Sequence, residues 1–347
     1  MARSSYSRAG ANRRKVREIH SSLARQLGRT FAFRAGKTGA PLMAIGHYAG
    51  LIDLGGDSAL ALHTDGVGSK VLVAQRMGRF DTVGIDCVAM SVNDLVCLGS
   101  EPVALLDYVA LEKENDRLVS ELAKGLAEGA RLSATAIVGG ETAILGDMVK
   151  GLRGNGFDLV SMGVGLVKKS AVIDGSRIRE GDAVIGVESS GLHSNGYTLA
   201  RRILGRLPLN SRLEGLGTTL GDALLAPTRI YVGPTLAAMR SAQVHGIAHI
   251  TGGAFTKLTR LVGGRGLKFD IRLPAPQPIF KLLQGRGGVT DREMYSTFNM
   301  GIGLCLVLPS SEIGKVARPF RREGFPVHHL GQVRRGKGVV VNGVRLL

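Results

Sequence analysis

The chain has 347 residues, of which 44% are hydrophobic and 21% charged, so it can bury a large core and should divide into about two domains. No run approaches the roughly 18 apolar residues of a membrane span, and the polar N-terminus lacks the apolar segment of a secretory signal. The net charge is +17, but the basic residues are spread out and aromatic residues make up only 5%, which makes nucleic acid an unlikely partner. We therefore expect a cytoplasmic protein that does not bind membranes and whose basic surface attracts anionic substrates.

The first half alternates strand-like apolar runs with helical patterns. Residues 59–63, 103–111, 134–138 and 157–167 are predicted strands, and residues 71–77, 82–98 and 115–132 are predicted helices. In the last of these helices Leu118, Leu122 and Leu126 recur at four-residue spacing, and Asn115 is suited to cap its N-terminus.

A polar stretch from residue 168 to residue 182 separates the two halves. We place an N-terminal domain at residues 1–170 and a C-terminal domain at residues 171–347. In the second half, strands are predicted at residues 183–187, 302–308 and 327–333, and helices at residues 197–204, 228–244 and from 310 to about 324. The alternation of strands and helices predicts an α/β or α+β class.

The segment Thr64-Asp65-Gly66-Val67-Gly68-Ser69-Lys70 ends one predicted strand and precedes a helix. Glycines at such a turn let backbone amides approach a phosphate, and Asp65 could hold Mg²⁺. An Asp-Gly turn is common in proteins, so this motif is equally compatible with a structural turn.

A second acidic group lies in the predicted helix of residues 82–98. Asp86 and Asp94 are eight residues apart, about 2.2 turns, so both carboxylates should project from nearly the same face, with Asn93 adjacent. The surrounding residues are apolar, and carboxylates are costly to bury without a cation. This favours a functional role over a solvated acidic stripe.

A third group, Gly139-Gly140-Glu141-Thr142, follows the predicted strand of residues 134–138. Ligands of α/β proteins favour the carboxyl ends of strands, so Glu141 could join Asp65 and Asp94 around Mg²⁺. A glutamate that caps a turn is the alternative.

Two glycine-rich loops mark the second half. Ser189-Ser190-Gly191-Leu192-His193-Ser194-Asn195-Gly196 lies between a predicted strand and a helix, which suits an anionic substrate, and His193 could shuttle protons near neutral pH. The segment His249-Ile250-Thr251-Gly252-Gly253 has a similar form. A single histidine is more often structural, so both interpretations stay open.

Together these motifs, with Pro227-Thr228-Arg229-Ile230-Tyr231 and Phe298-Asn299-Met300-Gly301, closely resemble the phosphoribosylformylglycinamidine cyclo-ligase (aminoimidazole ribonucleotide synthetase) family over about residues 58–310. The resemblance implies a ligase of purine biosynthesis that uses ATP and Mg²⁺ to close the ring of formylglycinamidine ribonucleotide. It also implies a homodimer of two-domain subunits, with the N-terminal sheets joined across the two-fold axis and an active site in the cleft between the domains.

The resemblance also implies roles for individual residues. His193, Asp94 and Glu141 would be catalytic, and Asp65, Asp94 and Glu141 would hold the metal, with Asp86 a weaker fourth candidate. The implied nucleotide contacts are Thr64, Asp65, Gly66, Gly68, Lys70, Asn93, Gly139 and Gly140. The implied substrate contacts are Ser194, Asn195, Gly196, Thr251, Gly252 and Gly253.

The chain departs from the family pattern at a few positions. Asn12 stands where an acid is common in the opening motif Tyr6–Asn12, Ala254 replaces the third glycine after Thr251, and Arg34 and Lys37 compete for the place of one N-terminal lysine.

Two alternative functions remain. The chain could be another ATP-using enzyme of the same superfamily, which includes thiamine monophosphate kinase and selenophosphate synthetase, or a non-catalytic basic RNA-binding protein.

Overall fold

The computed structural model describes the backbone of residues 13–347 and the side chains of residues 15, 16 and 18 onward, so the motif Tyr6–Asn12 lies outside it. The N-terminal domain is built on a five-stranded sheet in the order β1-β2-β5-β3-β4, in which only the β3–β4 pair is parallel. The strands are β1 (Gly50–Gly55), β2 (Ser58–Gly66), β3 (Glu101–Leu111), β4 (Ala136–Ile144) and β5 (Phe157–Lys168), and the helices are α1 (Arg13–Gly28), α2 (Val71–Met77), α3 (Asp81–Val96) and α4 (Asp116–Ser133).

Helices α3 and α4 pack closely together because glycines stand where they cross. A Cβ on Gly125 would lie 1.8 Å from the carbonyl oxygen of Asp81, and one on Gly84 would lie 2.6 Å from that of Leu122, so neither position accepts a larger residue. The side-chain oxygen of Asn115 accepts a hydrogen bond from the backbone of Leu118 (3.1 Å), which confirms the predicted cap of α4.

The C-terminal domain contains a seven-stranded sheet in the order β12-β11-β8-β10-β6-β9-β7. Strand β9 (Ile302–Leu308), between β6 and β7, is buried along its whole length, as expected for an unbroken apolar run. The other strands are β6 (Ala183–Glu188), β7 (Gly246–His249), β8 (Leu267–Ile271), β10 (Val327–Arg335), β11 (Gly338–Val341) and β12 (Val344–Arg345). The helices are α5 (Tyr197–Leu204), α6 (Leu220–Leu225), α7 (Val232–Ser241), α8 (Pro278–Gly287), α9 (Asp291–Thr297) and α10 (Ile313–Arg322).

The predicted class of a two-domain α/β or α+β protein is confirmed. One strand was predicted too short. The group Gly139-Gly140-Glu141-Thr142 does not follow β4 but forms its middle, because parallel pairing with β3 continues to Ile144 and supplies the backbone hydrogen bonds. The domain boundary at residue 170 stays a prediction.

A second correction concerns α7, which begins at Val232 and not at residue 228. Within residues 13–347, no helix is both long enough and apolar enough to span a membrane.

Candidate active site between the two domains

Helix α3 lies at the boundary between the domains, and its carboxylates contact the C-terminal domain. Asp86 accepts hydrogen bonds from Thr228, and Asp94 accepts one from His249. The expectation that the two carboxylates project from nearly the same face of the helix is therefore confirmed. They form two separate contacts of different character.

The contact at Asp86 is a buried ion pair with Lys70, and both side chains are 0% exposed. The Lys70 ammonium lies 2.7 Å from Asp86 Oδ2 and donates a hydrogen bond to the carbonyl of Ala226 (2.7 Å). The backbone N–H and the hydroxyl of Thr228 donate to Asp86 Oδ1 at 2.7 and 2.6 Å. Burial lowers the pKa of Lys70, and the charge of Asp86 opposes that shift. Lys70, predicted to contact the nucleotide, is thus engaged in joining the domains.

Asn93 links α3 to the segment before α7. Its Nδ2 donates to the carbonyl of Arg229 (2.8 Å), and its Oδ1 accepts from the backbone N–H of Tyr231 (2.9 Å). These bonds, with those of Thr228, hold residues 228–231 outside a helical conformation. Their backbone groups are used between the domains, which explains the late start of α7.

Asp94 is the centre of the second contact. His249 Nδ1 donates to Asp94 Oδ1 (2.7 Å), whereas Asp94 Oδ2 faces His63 Nε2 at 3.6 Å and Lys257 Nζ at 4.0 Å. Burial by itself would raise the pKa of Asp94, but the charge of Lys257 and the hydrogen bond from His249 outweigh it and hold that pKa well below its usual range. Asp94 is therefore a buried carboxylate that stays ionised.

Asp65, near the end of β2, is the second carboxylate of this contact. Burial and the negative charge of Asp94 raise its pKa, and a hydrogen bond from the backbone N–H of Gly66 (2.8 Å) opposes the shift. A cation placed between the two carboxylates would offset this repulsion. The pair fits Mg²⁺, which takes one or two protein carboxylates and completes its shell with water and phosphate oxygens. Among the described residues, no group of three or more histidine, cysteine or acidic side chains could hold a metal.

Lys257 lies in the 3₁₀-helical segment Ala254–Leu261, which follows the loop after β7. Its ammonium contacts the hydroxyl of Thr251 and lies 5.5 Å from the centre of the Tyr48 ring. The hydroxyl of Tyr48 donates to the carbonyl of Lys257 (3.3 Å). Burial lowers the pKa of Lys257, and the charge of Asp94 opposes the shift.

The loop between β6 and α5, residues 189–196, is held in place by the side chain of Asn299. Its Oδ1 accepts from the hydroxyl of Ser189 (3.2 Å), and its Nδ2 donates to the carbonyl of Gly191 (2.9 Å). Gly196 ends the loop at φ +78°, and a Cβ there would lie 2.4 Å from the Phe298 ring, so glycine is required. The predicted substrate loop is thus a fixed structure.

His193 is buried within this loop. Its Nε2 accepts a hydrogen bond from the backbone N–H of Ser190 (3.2 Å), so the neutral ring carries its hydrogen on Nδ1, which has no partner. Burial, reinforced by His249, lowers the pKa of His193 well below its ordinary value. A role of His193 in proton transfer stays a prediction, and the neutral ring offers one N–H donor.

The two predicted substrate segments meet each other. A Cβ on Gly252 would lie 3.0 Å from Asn195 Oδ1, and the Ser194 hydroxyl lies 3.2 Å from that of Thr228. Gly253 has φ +85°, and Ala254 follows at φ +44°. The alanine that replaces the third glycine of the family therefore takes a left-handed conformation, at a cost of roughly 1–2 kcal/mol.

One copy of the chain does not bring Glu141 to Asp65 and Asp94. Strand pairing aligns four residues in one row on the sheet face that the helices cover: Asp65, Ser161, Asp107 and Gly140. Glu141 comes directly after Gly140, so it points to the opposite face, where it is exposed and accepts a hydrogen bond from the backbone of Thr142 (2.9 Å).

The remaining predicted nucleotide contacts are divided between two strands. Thr64 and Gly66 lie at the end of β2, and Gly68, at φ +64°, opens the turn before α2. Gly139 lies in β4 with Glu141. Of the two competing N-terminal basic residues, Arg34 contacts the carbonyl of Thr38, and both Arg34 and Lys37 are exposed.

Two protein-family models match the chain. AIR synthase related protein, N-terminal domain, covers residues 46–167, and AIR synthase related protein, C-terminal domain, covers residues 179–343. The chain belongs to this family.

Relatives and solved structures agree with this membership. A phosphoribosylformylglycinamidine cyclo-ligase of Thermococcus kodakarensis is 45% identical over 98% of this chain and 99% of its own, and that of Pyrococcus furiosus is 44% identical over 99% of both. The crystal structure of a thiamine-monophosphate kinase from Stenotrophomonas maltophilia has the same fold, with a TM-score of 0.63 at 20% identity over 92% of this chain and 96% of that one.

Sequence reasoning missed three residues of the Asp94 contact in this AIR synthase family member. His249 opens a quoted motif and His63 directly precedes Thr64, but neither histidine was given a role. Lys257 carried no signal, because a single lysine in a short helical segment is usually solvated. Only the folding of the loop after β7 over α3 reveals it.

Proposed function

We propose that this chain catalyses the ATP-dependent ring closure of formylglycinamidine ribonucleotide to aminoimidazole ribonucleotide, with release of ADP and phosphate. Support comes from cyclo-ligase relatives at 44–45% identity over nearly the whole chain. The observation in the structure that carries the proposal is the carboxylate pair of the partly buried Asp65 and the buried Asp94, placed beside two glycine-rich loops at the domain boundary. A cytoplasmic setting belongs to the same proposal, since ATP and sugar phosphates are cytoplasmic metabolites.

The chemistry explains why ATP is needed. An amide-type oxygen is a poor leaving group, so the formyl oxygen first takes the γ-phosphoryl group, forming a new P–O bond as the bond to ADP breaks. The ring-forming nitrogen then attacks the activated carbon and loses a proton, and the C–O bond breaks with loss of phosphate. The protein has to position the two substrates and stabilise the charge that moves.

The residues of the site suit these tasks. Asp65 and Asp94 would hold Mg²⁺, which when bound neutralises the charge of the triphosphate. Ser194, Asn195 and the segment Thr251–Gly253 would hold the phosphate or ribose of the substrate through hydroxyl, amide and backbone N–H groups. The nucleotide contacts that we propose at the strands are Thr64, Gly66, Gly68, Gly139 and Gly140.

His193 is suited to orient the substrate rather than to exchange charge. Its neutral ring presents Nδ1–H without a partner, so this group could donate to an oxygen of the substrate. Lys70 and Asn93 would keep the two domains correctly positioned, because their polar groups bind backbone groups of the C-terminal domain.

We propose that the chain works as a homodimer in which a second copy covers the open face of the N-terminal sheet. On this face Tyr108, Met162 and Leu166 are 37, 38 and 46% exposed, and Val138 in the edge strand β4 is 66% exposed. Strands β1 and β4 are the two edges of the sheet. Two-fold pairing of β4 with β1 of the second copy would remove both edges and bury the apolar face.

Glu141 lies on the open face of the edge strand β4, so pairing with β1 would place it in the contact with the second copy, on the side of the sheet opposite to Asp65. We propose that Glu141 acts within this dimer contact.

The proposed reaction is tested by incubating the protein with ATP, Mg²⁺ and formylglycinamidine ribonucleotide. We expect one ADP for each aminoimidazole ribonucleotide formed. ATP hydrolysis without the ring-closed product, or product without ATP, would contradict the assignment.

The dimer is tested by light scattering, which should give twice the 36.6 kDa chain mass. Leu166→Glu should give a folded monomer that loses activity, because Glu141 then has no second copy to join. Leu347→Glu, at another exposed leucine, should leave the dimer intact. A fully active monomer would exclude this arrangement.

A further inference from the structure

Lys257 lies between the two halves of the proposed site. On one side its ammonium is 4.0 Å from Asp94 Oδ2, within the proposed metal and triphosphate site. On the other side it contacts the hydroxyl of Thr251, in the proposed substrate loop. A phosphoryl group that passes from ATP to the substrate has to cross between these two sides.

The ammonium is held in a position shielded from water. The Lys257 side chain is 11% exposed, and the Tyr48 ring beside it is 1% exposed. The hydroxyl of Tyr48 donates to the backbone of Lys257, and the guanidinium of Arg260 lies 5.5 Å from the same ring. A cation fixed in such surroundings acts strongly on nearby negative charge and needs no rearrangement during the reaction.

The donors of Lys257 are not all used. An ammonium has three N–H groups, of which one serves the hydroxyl of Thr251. Asp94 Oδ2, at 4.0 Å, lies beyond ordinary hydrogen-bond length. Electrostatic attraction therefore keeps the Lys257 ammonium near Asp94. Its remaining N–H groups are available to an oxygen of a bound ligand.

We propose that Lys257 is a catalytic residue that contacts the phosphoryl group as it moves from ATP to the formyl oxygen, an inference that rests on the proposed function. Lys257 forms no covalent bond and stays protonated throughout. As the bond from the γ-phosphorus to ADP breaks and the bond to the formyl oxygen forms, its N–H groups stabilise the charge on the transferred oxygens.

Two variants separate the charge of Lys257 from its packing. Lys257→Arg keeps a positive charge beside the Tyr48 ring, whereas Lys257→Met keeps a side chain of similar length without the charge.

The experiment compares wild type, Lys257→Met, Lys257→Arg and the exposed control Lys315→Met in single-turnover assays of ADP and aminoimidazole ribonucleotide. Lys257→Met should lower both rates at least ~100-fold, as loss of one donor to a developing charge does elsewhere. Its affinity for ATP, measured by calorimetry, should change by less than about fivefold, since the contact forms during transfer. Lys257→Arg should keep a measurable rate, and Lys315→Met should match wild type.

Several results would overturn the proposal. Lys257→Met within about tenfold of the wild-type rate would exclude a phosphoryl contact, given the size of effect expected. If Lys257→Met weakens ATP affinity as much as it lowers the rate, the lysine serves to bind ATP and not the phosphoryl group in transfer. If Lys257→Met fails to fold, Lys257→Gln replaces it in the same assays, and a rate within about tenfold of wild type decides against the proposal. A wild-type protein without turnover would overturn both this inference and the proposed function, whereas the other outcomes leave the function standing.

Discussion

The two contacts that α3 makes with the C-terminal domain differ, although each is centred on an aspartate. At Asp86 both carboxylate oxygens and the Lys70 ammonium are paired at 2.6–2.7 Å, and both side chains are fully buried. At Asp94 one oxygen is bound by His249, while the other faces two nitrogens beyond hydrogen-bond distance.

This difference separates a structural contact from a reactive one. At Asp86 the Lys70 ammonium neutralises the carboxylate, so removing the carboxylate leaves an uncompensated buried charge. At Asp94 the second oxygen lies 3.6 Å from His63 Nε2 and 4.0 Å from Lys257 Nζ, so it remains open to a ligand. Local pairing, rather than burial or residue type, therefore distinguishes the two aspartates.

The largest expected effect is on stability at the Asp86 contact. Asp86→Asn leaves the Lys70 ammonium buried without its counter-charge, so we expect a loss of about 3–5 kcal/mol of unfolding free energy. Activity per folded molecule should stay within about tenfold of wild type, because Asn93 still binds Arg229 and Tyr231 and keeps α3 in place. Urea denaturation and the rate at low temperature measure the two quantities.

A double variant provides the control. Lys70→Met with Asp86→Asn removes both charges, so it should recover part of the stability lost in the single variant. If Asp86→Asn alone leaves the unfolding free energy unchanged, the Asp86 contact is not the structural contact that we infer.

The next effect is on activity at the Asp94 contact. Asp94→Asn keeps the shape but removes the charge that would hold Mg²⁺, so phosphoryl transfer should fall at least ~100-fold, about 2.7 kcal/mol. Stability should fall less than in Asp86→Asn, by about 1–3 kcal/mol, since Lys257 and His63 keep some access to water. Single-turnover rates, Mg²⁺ dependence and melting temperature of the two variants give the comparison. A normal rate with unchanged Mg²⁺ dependence would place the metal elsewhere.

The smallest effect is a pH dependence of stability confined to the Asp94 side. Burial lowers the pKa of His193 and of His249 in the folded state, so below the unfolded value near 6.5 the unfolded chain binds more protons. Stability should be complete above about pH 6.5 and fall as pH decreases toward the folded pKa values, by at most about 1.4 kcal/mol per pH unit for each group.

His193→Asn tests this directly, because asparagine tolerates the φ of +60° at this position. Between pH 6.5 and 5, the unfolding free energy of this variant should depend less steeply on pH than that of wild type, as measured by denaturation curves. His20→Asn, at an exposed site on α1, should keep the wild-type slope. An unchanged slope in His193→Asn would show that this ring titrates equally in both states.

Much of the fold follows from local pattern. The predicted helices at Val71–Met77 and Tyr197–Leu204 and the strand Ile302–Leu308 match the structure residue by residue, since each combines an apolar run with clear end signals. The errors lie where tertiary contacts decide. The glycines of β4 are held in a strand by pairing with β3, and residues 228–231 stay outside helix α7 because Asp86 and Asn93 bind their backbone.

The site was predictable only in part, for the same reason. Asp94 could be found because a carboxylate in an apolar helix is costly, and the loops could be found by their glycines. The partners of these groups could not, since Lys257 and His249 reach Asp94 across 155 or more positions of the chain. Nor could sequence show that Lys70 is paired with Asp86.

The Asp86 contact also sets the mechanical tolerance of the enzyme. It fixes one point of α3 to the C-terminal domain, and Asp94 lies about 12 Å further along the helix axis at 1.5 Å per residue. With that point as a pivot, a domain rotation of only about 5° would shift Asp94 by about 1 Å relative to Lys257, a displacement that can reduce catalysis about 100-fold. A rotation of a few degrees would therefore be enough to misalign the site, and the bonds of Asn93, directly beside Asp94, oppose it.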